Sequence, residues 1–227
     1  MNPVKKAEKM KIWFISDTHG FEKHFHVPQA DMVIHCGDEA NHRDPVMNAP
    51  ESQRFFEWYS ELPIATKVFV PGNHSTAIQA GLVNIPNNVV LLNHDSVTIN
   101  DLHIFGSPYT PTYGERWAYM KKRNRMAAVW DSVPKCDILV THGPPKGILD
   151  LTLSVEGFLK QAGCKSLRNR VHELQPKIHA FGHMHSENGI ENFGILDVPN
   201  RFRTRFINAA CYNHRQAQFY QGHIVEL

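Results

Sequence analysis

Short apolar runs alternate with polar turns along this chain, and that alternation sets the expected fold. Lys11–Ser16, Asp31–Cys36 and Thr66–Val70 carry apolar residues at consecutive positions over most of their length. Such runs read as strands covered on both faces, in a sheet held between other layers. Between the second and third, Glu51–Ser60 places Phe55, Trp58 and Tyr59 at helical spacing, which predicts an amphipathic helix whose aromatic stripe packs on the sheet. Residues 39–50 are polar and read as a loop. Strand–helix–strand order predicts parallel pairing, with ligands bound beyond the carboxyl ends of the strands.

The pattern then changes. Asn88–Leu92, Ser96–Ile99 and Leu102–Phe105 are short strands, and Asn100-Asp101 is a hairpin signal, so a second sheet is expected. Gly106–Gly114 is rich in proline and tyrosine and reads as an ordered loop. Glu115–Trp130 is predicted to be a helix with Lys121, Lys122, Arg123 and Arg125 on a solvated face. Cys136–Thr141 and the run opening at Ile178 are further buried strands; Leu149–Ser154 reads as a loop and Gly163–His172 as a helix. Gly189–Phe193, Gly194–Val198, Arg203–Asn208, Gln216–Tyr220 and His223–Glu226 are expected to be antiparallel strands. Residues 1–10 read as a frayed tail and 11–227 as one domain, with no internal repeat.

Composition removes several classes of function. The 24 Lys+Arg residues nearly balance 22 Asp+Glu, which argues against a mainly electrostatic nucleic-acid binder, so no stable nucleic-acid complex is expected. No segment approaches the roughly 18 apolar residues of a membrane span, and the start lacks the apolar core of a secretory signal. The four cysteines are widely spaced without a CxxC pair; they read as buried free thiols in a reducing, cytoplasmic setting.

The 15 histidines redirect the reading toward metal chemistry, because several fall where strands should stop. The first strand runs into Asp17-Thr18-His19, the second into Gly37-Asp38, the third into Gly72-Asn73-His74, the Cys136–Thr141 strand into His142, and the Ile178 strand into Gly182-His183-Met184-His185. Singly, each has a plain alternative: Asp17 or Thr18 as a helix N-cap, Gly37-Asp38 as a β-turn. Their joint occurrence at five strand ends points instead to one shared site. Mixed oxygen and nitrogen donors suit first-row divalent ions such as Mn, Fe or Zn. Two such ions about 3.5–4 Å apart clamp the oxygens of an in-line phosphoryl displacement. His42 and Arg43 follow Asp38 on the same rim, and an arginine fork suits phosphate, so both are expected near the substrate.

In this order and spacing the motifs resemble those of the calcineurin-like metallophosphoesterases: D-x-H, G-D, G-N-H-[DE], a lone H, and G-H-x-H. Gly163-Cys-Lys-Ser-Leu, Phe181-Gly-His and Ile207-Asn-Ala-Ala210 look most like the brain metallophosphoesterase-domain proteins and their microbial relatives. The resemblance implies a four-layer α/β/β/α sandwich of two mixed sheets flanked by helices, with a dinuclear site at the strand ends. It implies one metal held by Asp17, His19, Asp38 and His185, and a second by Asp38, Asn73, His142 and His183, with manganese favoured. It implies hydrolysis of a small phosphodiester, cyclic or nucleotide-like, by attack of a metal-bridging hydroxide, with His74 facing the phosphate. The chain departs from the pattern at Ser75, where an acid usually orients that histidine. That departure keeps a nucleotide- or metal-binding regulatory protein with little turnover as the alternative of a different class; a nuclease or phosphomonoesterase is the alternative within the family.

Overall fold

In the computed structural model of the chain, residues 9–213 and 218–227 are described. Two sheets stack face to face. The first has the order β17-β1-β2-β3-β4, built from β1 (Lys11–Ile15), β2 (Met32–His35), β3 (Thr66–Phe69), β4 (Val89–Leu91) and β17 (His223–Glu226). β1 to β4 are parallel, and β17 closes one edge antiparallel to β1. The second has the order β13-β14-β12-β9-β6-β5, from β5 (Asp95–Ile99), β6 (Leu102–Ser107), β9 (Ile138–Thr141), β12 (Ile178–Phe181), β13 (Gly194–Asp197) and β14 (Arg205–Asn208). Its four central strands are parallel and its two edges antiparallel.

Period-two alternation explains why apolar runs were required. Ile12 and Phe14 of β1 join Ile34, Val68, Ile138 and Val140 in a core between the sheets. Trp13 and Ile15 point the other way, into a second core with Phe55, Phe56 and Tyr59 of α1 (Pro45–Glu61). On the outer face of the second sheet, Leu139, Phe181 and Phe206 pack with Trp130 of α2 (Met126–Asp131) and Leu167 and Val171 of α3 (Lys165–Leu174). Three apolar layers between four structural ones make the α/β/β/α sandwich. The aromatic stripe of α1 is core: Phe55 and Tyr59 are buried, and the Tyr59 hydroxyl donates within reach of the Val33 and Val68 carbonyls, at 3.1 and 2.7 Å. The Asn100-Asp101 turn is also as expected, both residues at positive φ (49° and 62°) between β5 and β6, which a two-residue hairpin of the primed type requires.

Several expectations are corrected. The 39–50 stretch is not all loop: α1 starts at Pro45, capped by the Asp44 carboxylate, which accepts from the N–H groups of Val46 and Met47 at 2.9 and 3.2 Å. Proline at the first helical position after an aspartate cap is a start signal that polarity masked. The helix expected over 115–130 exists only from Arg123 onward. Arg116 and Tyr119 have φ of 61° and 52°, which no helix accepts. Instead β8 (Met120–Lys121) pairs with β7 (Thr110–Pro111), and the Ala118 N–H donates to the Asn73 carbonyl at 2.9 Å. Leu149–Ser154 is not a plain loop: β10 (Leu151–Leu153) and β11 (Leu159–Gln161) form a projecting hairpin. Gly189–Phe193 forms no strand beyond a bridge between Glu187 and Ile190. β14 pairs parallel, not antiparallel, with β12.

At the ends of the chain, residues 1–8 of the expected tail lie outside the described residues, and Met10 is already bonded to Leu227 in both directions at 3.0 Å. Residues 216–217 of an expected strand also lie outside them; β16 (Gln218–Phe219) pairs with β15 (Tyr212–Asn213). All four cysteines are free and buried. Among the described residues no helix is long and apolar enough to cross a membrane.

Candidate metal centre

The carboxyl ends of β1, β2, β3, β9 and β12 meet at one edge of the sandwich, and each delivers polar side chains there. A strand that stops must turn sharply, and here the turning residues are themselves the chemistry. Asp17, His19, Asp38 and His183 all have φ between 46° and 67°, a left-handed conformation that non-glycine residues seldom adopt and that concentrates at functional sites. The Asp17 N–H donates to the Gly37 carbonyl at 2.8 Å, the His19 N–H to the Asp38 carbonyl at 3.2 Å, and the Gly182 N–H to the His142 carbonyl at 2.9 Å. The turns thus hold one another in place.

Three groups of side chains bring potential ligand atoms within 4.8 Å of one another: Asp17, His19 and His185; Asp38, His142 and His183; and His19, Asp38 and His74. Asp17 accepts the His183 backbone N–H at 2.9 Å and the Ser16 hydroxyl at 2.6 Å, while its other oxygen lies 2.9 Å from His185 Nε2. Asp38 accepts the His74 N–H at 2.6 Å, and its second oxygen lies 3.1 Å from His142 Nε2. Asn73 Oδ1 approaches the same nitrogen at 2.9 Å. All seven residues expected as ligands therefore gather here, with Asp38 facing both sets.

The donor set fits a cation. His142 is fully buried and has three oxygen acceptors around its ring: Cys36 O on Nδ1 at 2.9 Å, Asp38 and Asn73 on Nε2. His19 Nδ1 lies 3.0 Å from the Ala40 carbonyl. With each Nδ1 on a backbone carbonyl, both rings turn their Nε2 inward, the arrangement that orients metal-binding imidazoles. The electrostatics agree. Burial opposes charge on Asp38, but the His142 and His74 imidazoles outweigh it and hold the carboxyl well below its usual range. Burial likewise opposes charge on Asp17, and His185 reverses it. Burial lowers His142 too, yet the Asp38 carboxylate brings it up to about 9, while burial pushes His19 and His183 down to about 3. A cation among these oxygens would replace the proton that His142 otherwise holds.

The glycines are explained by closeness. A Cβ at Gly182 would strike the Ser16 hydroxyl and the Asp17 carboxylate, and one at Gly72 would strike Asp38 and His142. Gly182→Ala is expected to destabilise the fold by roughly 1–3 kcal/mol, the usual cost of overpacking, and to lower metal content. Denaturant unfolding and metal analysis check it; unchanged values in both would remove the close-approach argument.

Other expected residues sit elsewhere. His42 pairs with Glu51 at 3.0 Å, and Arg43 lies 4.3 Å above the Trp117 ring; neither lines the cavity over the centre. Ser75 does not address His74. Its hydroxyl donates to Glu39 at 2.6 Å and accepts the Gly72 N–H at 2.8 Å, whereas His74 Nδ1 finds the Asn41 carbonyl at 2.9 Å. Sequence reasoning missed Glu39, Trp117 and Tyr113. The last lines the cavity, with its ring 5.1 Å from that of His183. Only the Pro/Tyr-rich character of Gly106–Gly114 hinted at it.

The cavity over the centre has a volume of about 560 Å³ and reaches from His74 and His185 to Lys160 and Gln161 on the β10–β11 hairpin. Arg123 braces that end by donating to the Ala162 and Gly163 carbonyls at 3.0 and 3.4 Å.

A sequence profile of the calcineurin-like phosphoesterases matches residues 10–187. A Caenorhabditis elegans UPF0046 protein is 32% identical over 95% of this chain and 75% of its own length. Human metallophosphoesterase domain-containing protein 1 is 31% identical over 82% of this chain; the match takes in 64% of the human protein, under two thirds of its length. The crystal structure of a phosphopantetheinyl hydrolase from Mycobacterium tuberculosis shares the fold, with a TM-score of 0.56 at 16% identity over 88% of each chain. Strand ends, donor set and sequence agree: this chain belongs to the calcineurin-like phosphoesterases, a family of metal-dependent phosphoesterases.

Proposed function

We propose that the protein hydrolyses a small phosphodiester, nucleotide-like in size, using two divalent ions, with manganese favoured. The observation that carries this is the gathering of two carboxylates, an amide and four imidazoles at one cavity, five of them lining it and Asp17 and His142 buried behind, with Asp38 between the two halves. Asp17, His19, Asp38 and His185 would hold one ion; Asp38, Asn73, His142 and His183 the other. Such a pair supplies Lewis-acid polarisation of the phosphate and activation of the attacking water.

The residues around it supply the rest. With Nδ1 on the Asn41 carbonyl, His74 turns Nε2 toward the cavity, where it can steady the phosphate and pass a proton to the departing alkoxide. A diester is favoured over a monoester by space: the cavity extends past the centre to Lys160, leaving room for a second ester arm, and its volume is of small-molecule size. The low-turnover alternative rested on Ser75. Because His74 has its own partner and Ser75 is engaged with Glu39, the enzyme reading is the better supported one. Buried free thiols are in keeping with a reducing, cytoplasmic setting.

The test is a turnover screen of metal-loaded protein against phosphomonoesters, cyclic nucleotides and linear diesters. The expected result is faster hydrolysis of diesters, lost on chelation and restored by Mn²⁺. His74→Ala should cost about 10²-fold on an alkoxide-leaving diester, at the low end for a general acid, and far less on a nitrophenyl diester, which needs little protonation. Equal losses on both substrates would remove the acid role, and no diester turnover would overturn the proposed activity.

A further inference from the structure

His74 is held from three sides. Its Nδ1 lies 2.9 Å from the Asn41 carbonyl, its edge meets His19 with centroids 4.7 Å apart at 81°, and its face lies over Trp117 with centroids 4.0 Å apart at 37°. On the same indole, the Arg43 guanidinium carbon sits 4.3 Å from the ring centroid. Arg43 has no carboxylate partner among the described residues, and the indole is what anchors it. Trp117 therefore touches both the imidazole proposed to face the phosphate and the Arg43 guanidinium. The indole is itself fixed: the Ala118 N–H beside it donates to the carbonyl of Asn73, at the turn that carries His74.

We propose that Trp117 is a positioning residue for the phosphate-facing groups: it sets the ring plane of His74 and stores Arg43 at the rim, ready to reach an incoming anion. The inference rests on the proposed function for its kinetics but not for its geometry. A single hydrogen bond at Nδ1 leaves the imidazole free to swing about that bond, and the indole face removes the swing. Aromatic contacts of this kind shift an equilibrium by roughly two- to tenfold, and cation–π contacts at exposed sites by roughly two- to fivefold. The stacks are thus strong enough to orient side chains and weak enough for Arg43 to leave when a phosphate offers a charge-assisted bond.

The geometric arm needs no turnover. Trp117 emission is isolated as the difference between wild type and Trp117→Phe. It is expected to rise in His74→Ala, because a stacked imidazole quenches an indole, and to change again when inorganic phosphate is added to the metal-loaded protein and Arg43 moves. His74→Ala and phosphate without effect on that difference would overturn the proposal.

The kinetic arm uses Trp117→Ala, with Trp117→Leu beside it should the smaller residue impair folding. Each is expected to lower kcat on an alkoxide-leaving diester about tenfold, within the reach of small misplacements, and to raise KM, while metal content stays at the wild-type level. Trp117→Phe should recover most of kcat. In the His74→Ala background, Trp117→Ala should leave kcat unchanged, because the group it positions is gone. A kcat loss that is the same with and without His74 would mark a merely structural tryptophan and overturn the positioning role. If wild type turns over no diester, the proposed function fails, and the emission measurements still decide the inference.

Discussion

Asp38→Asn is expected to lower turnover by roughly a thousandfold and to lose at least one metal ion: metal stabilisation of transition-state charge is worth several kcal/mol, at about 1.4 kcal/mol per tenfold. The change keeps shape and removes charge. Asp38 is 2% exposed and sits at φ 61° at the end of β2. One oxygen receives the His74 backbone N–H, and the other faces His142 Nε2. An asparagine in the same rotamer still accepts the His74 N–H, so the turn survives. It offers no second anionic oxygen, so whatever is held jointly by the two halves of the centre is lost. Metal analysis after Mn²⁺ loading should find about two ions in wild type, the count of a two-metal site, and fewer in the variant. Full occupancy at full rate would show that Asp38 does not bridge.

Glu39→Gln is expected to make the metal-free protein more stable at neutral pH by about 3 kcal/mol, an order-of-magnitude figure from its shift at about 1.4 kcal/mol per pH unit. Glu39 is fully buried, and burial pushes its carboxyl from 4.5 up to about 7, against the pull of the Ser52 and Ser75 hydroxyls at 2.6 Å each. Because the folded state holds the proton more tightly than the unfolded chain, the group's favourable contribution is complete below about 4.5 and is lost as pH rises to about 7. Above that, the folded protein carries a buried anion at full cost. Glutamine keeps the shape and can still bond both serines, so it removes the penalty without a cavity. Urea unfolding at pH 5 and pH 8, with chelator present, should show the two proteins close at pH 5 and the variant ahead at pH 8. An equal gap at both pH values would sink the assignment. Glu39 ties the Ser75 turn to Ser52 of α1, which accounts for an acid where nothing is coordinated by it.

Metal chemistry was legible in the sequence because its residues are local to strand ends. A run such as Lys11–Ile15 must be a buried strand, and the first polar residues after it must lie at a sheet edge; Asp17-Thr18-His19 could be placed on that ground alone. The same logic located Asp38, Asn73, His142, His183 and His185, and the three apolar layers followed from consecutive hydrophobic positions. Local propensity misled where a segment's partners are distant. Residues 115–122 have helical composition at their basic end, but their backbone bonds go to β7 and to Asn73, and two left-handed residues result.

Ser75 shows the limit most clearly. As a motif position it was measured by the acid it lacks, on the assumption that residue 75 faces His74. In the fold, the turn after Gly72 sends its hydroxyl inward to Glu39, and a carbonyl from residue 41 serves His74 instead. Which strands end at the site, and which side chains leave them, was written in the sequence, because hydrophobic periodicity and chain direction are local. Which neighbour each imidazole finds was decided only by tertiary structure. Glu39 and Asn41 follow β2 and reach Ser75 and His74 because β2 pairs with β3 in the same sheet, whereas Trp117 comes from the segment after β6 and reaches His74 only because the two sheets close against each other.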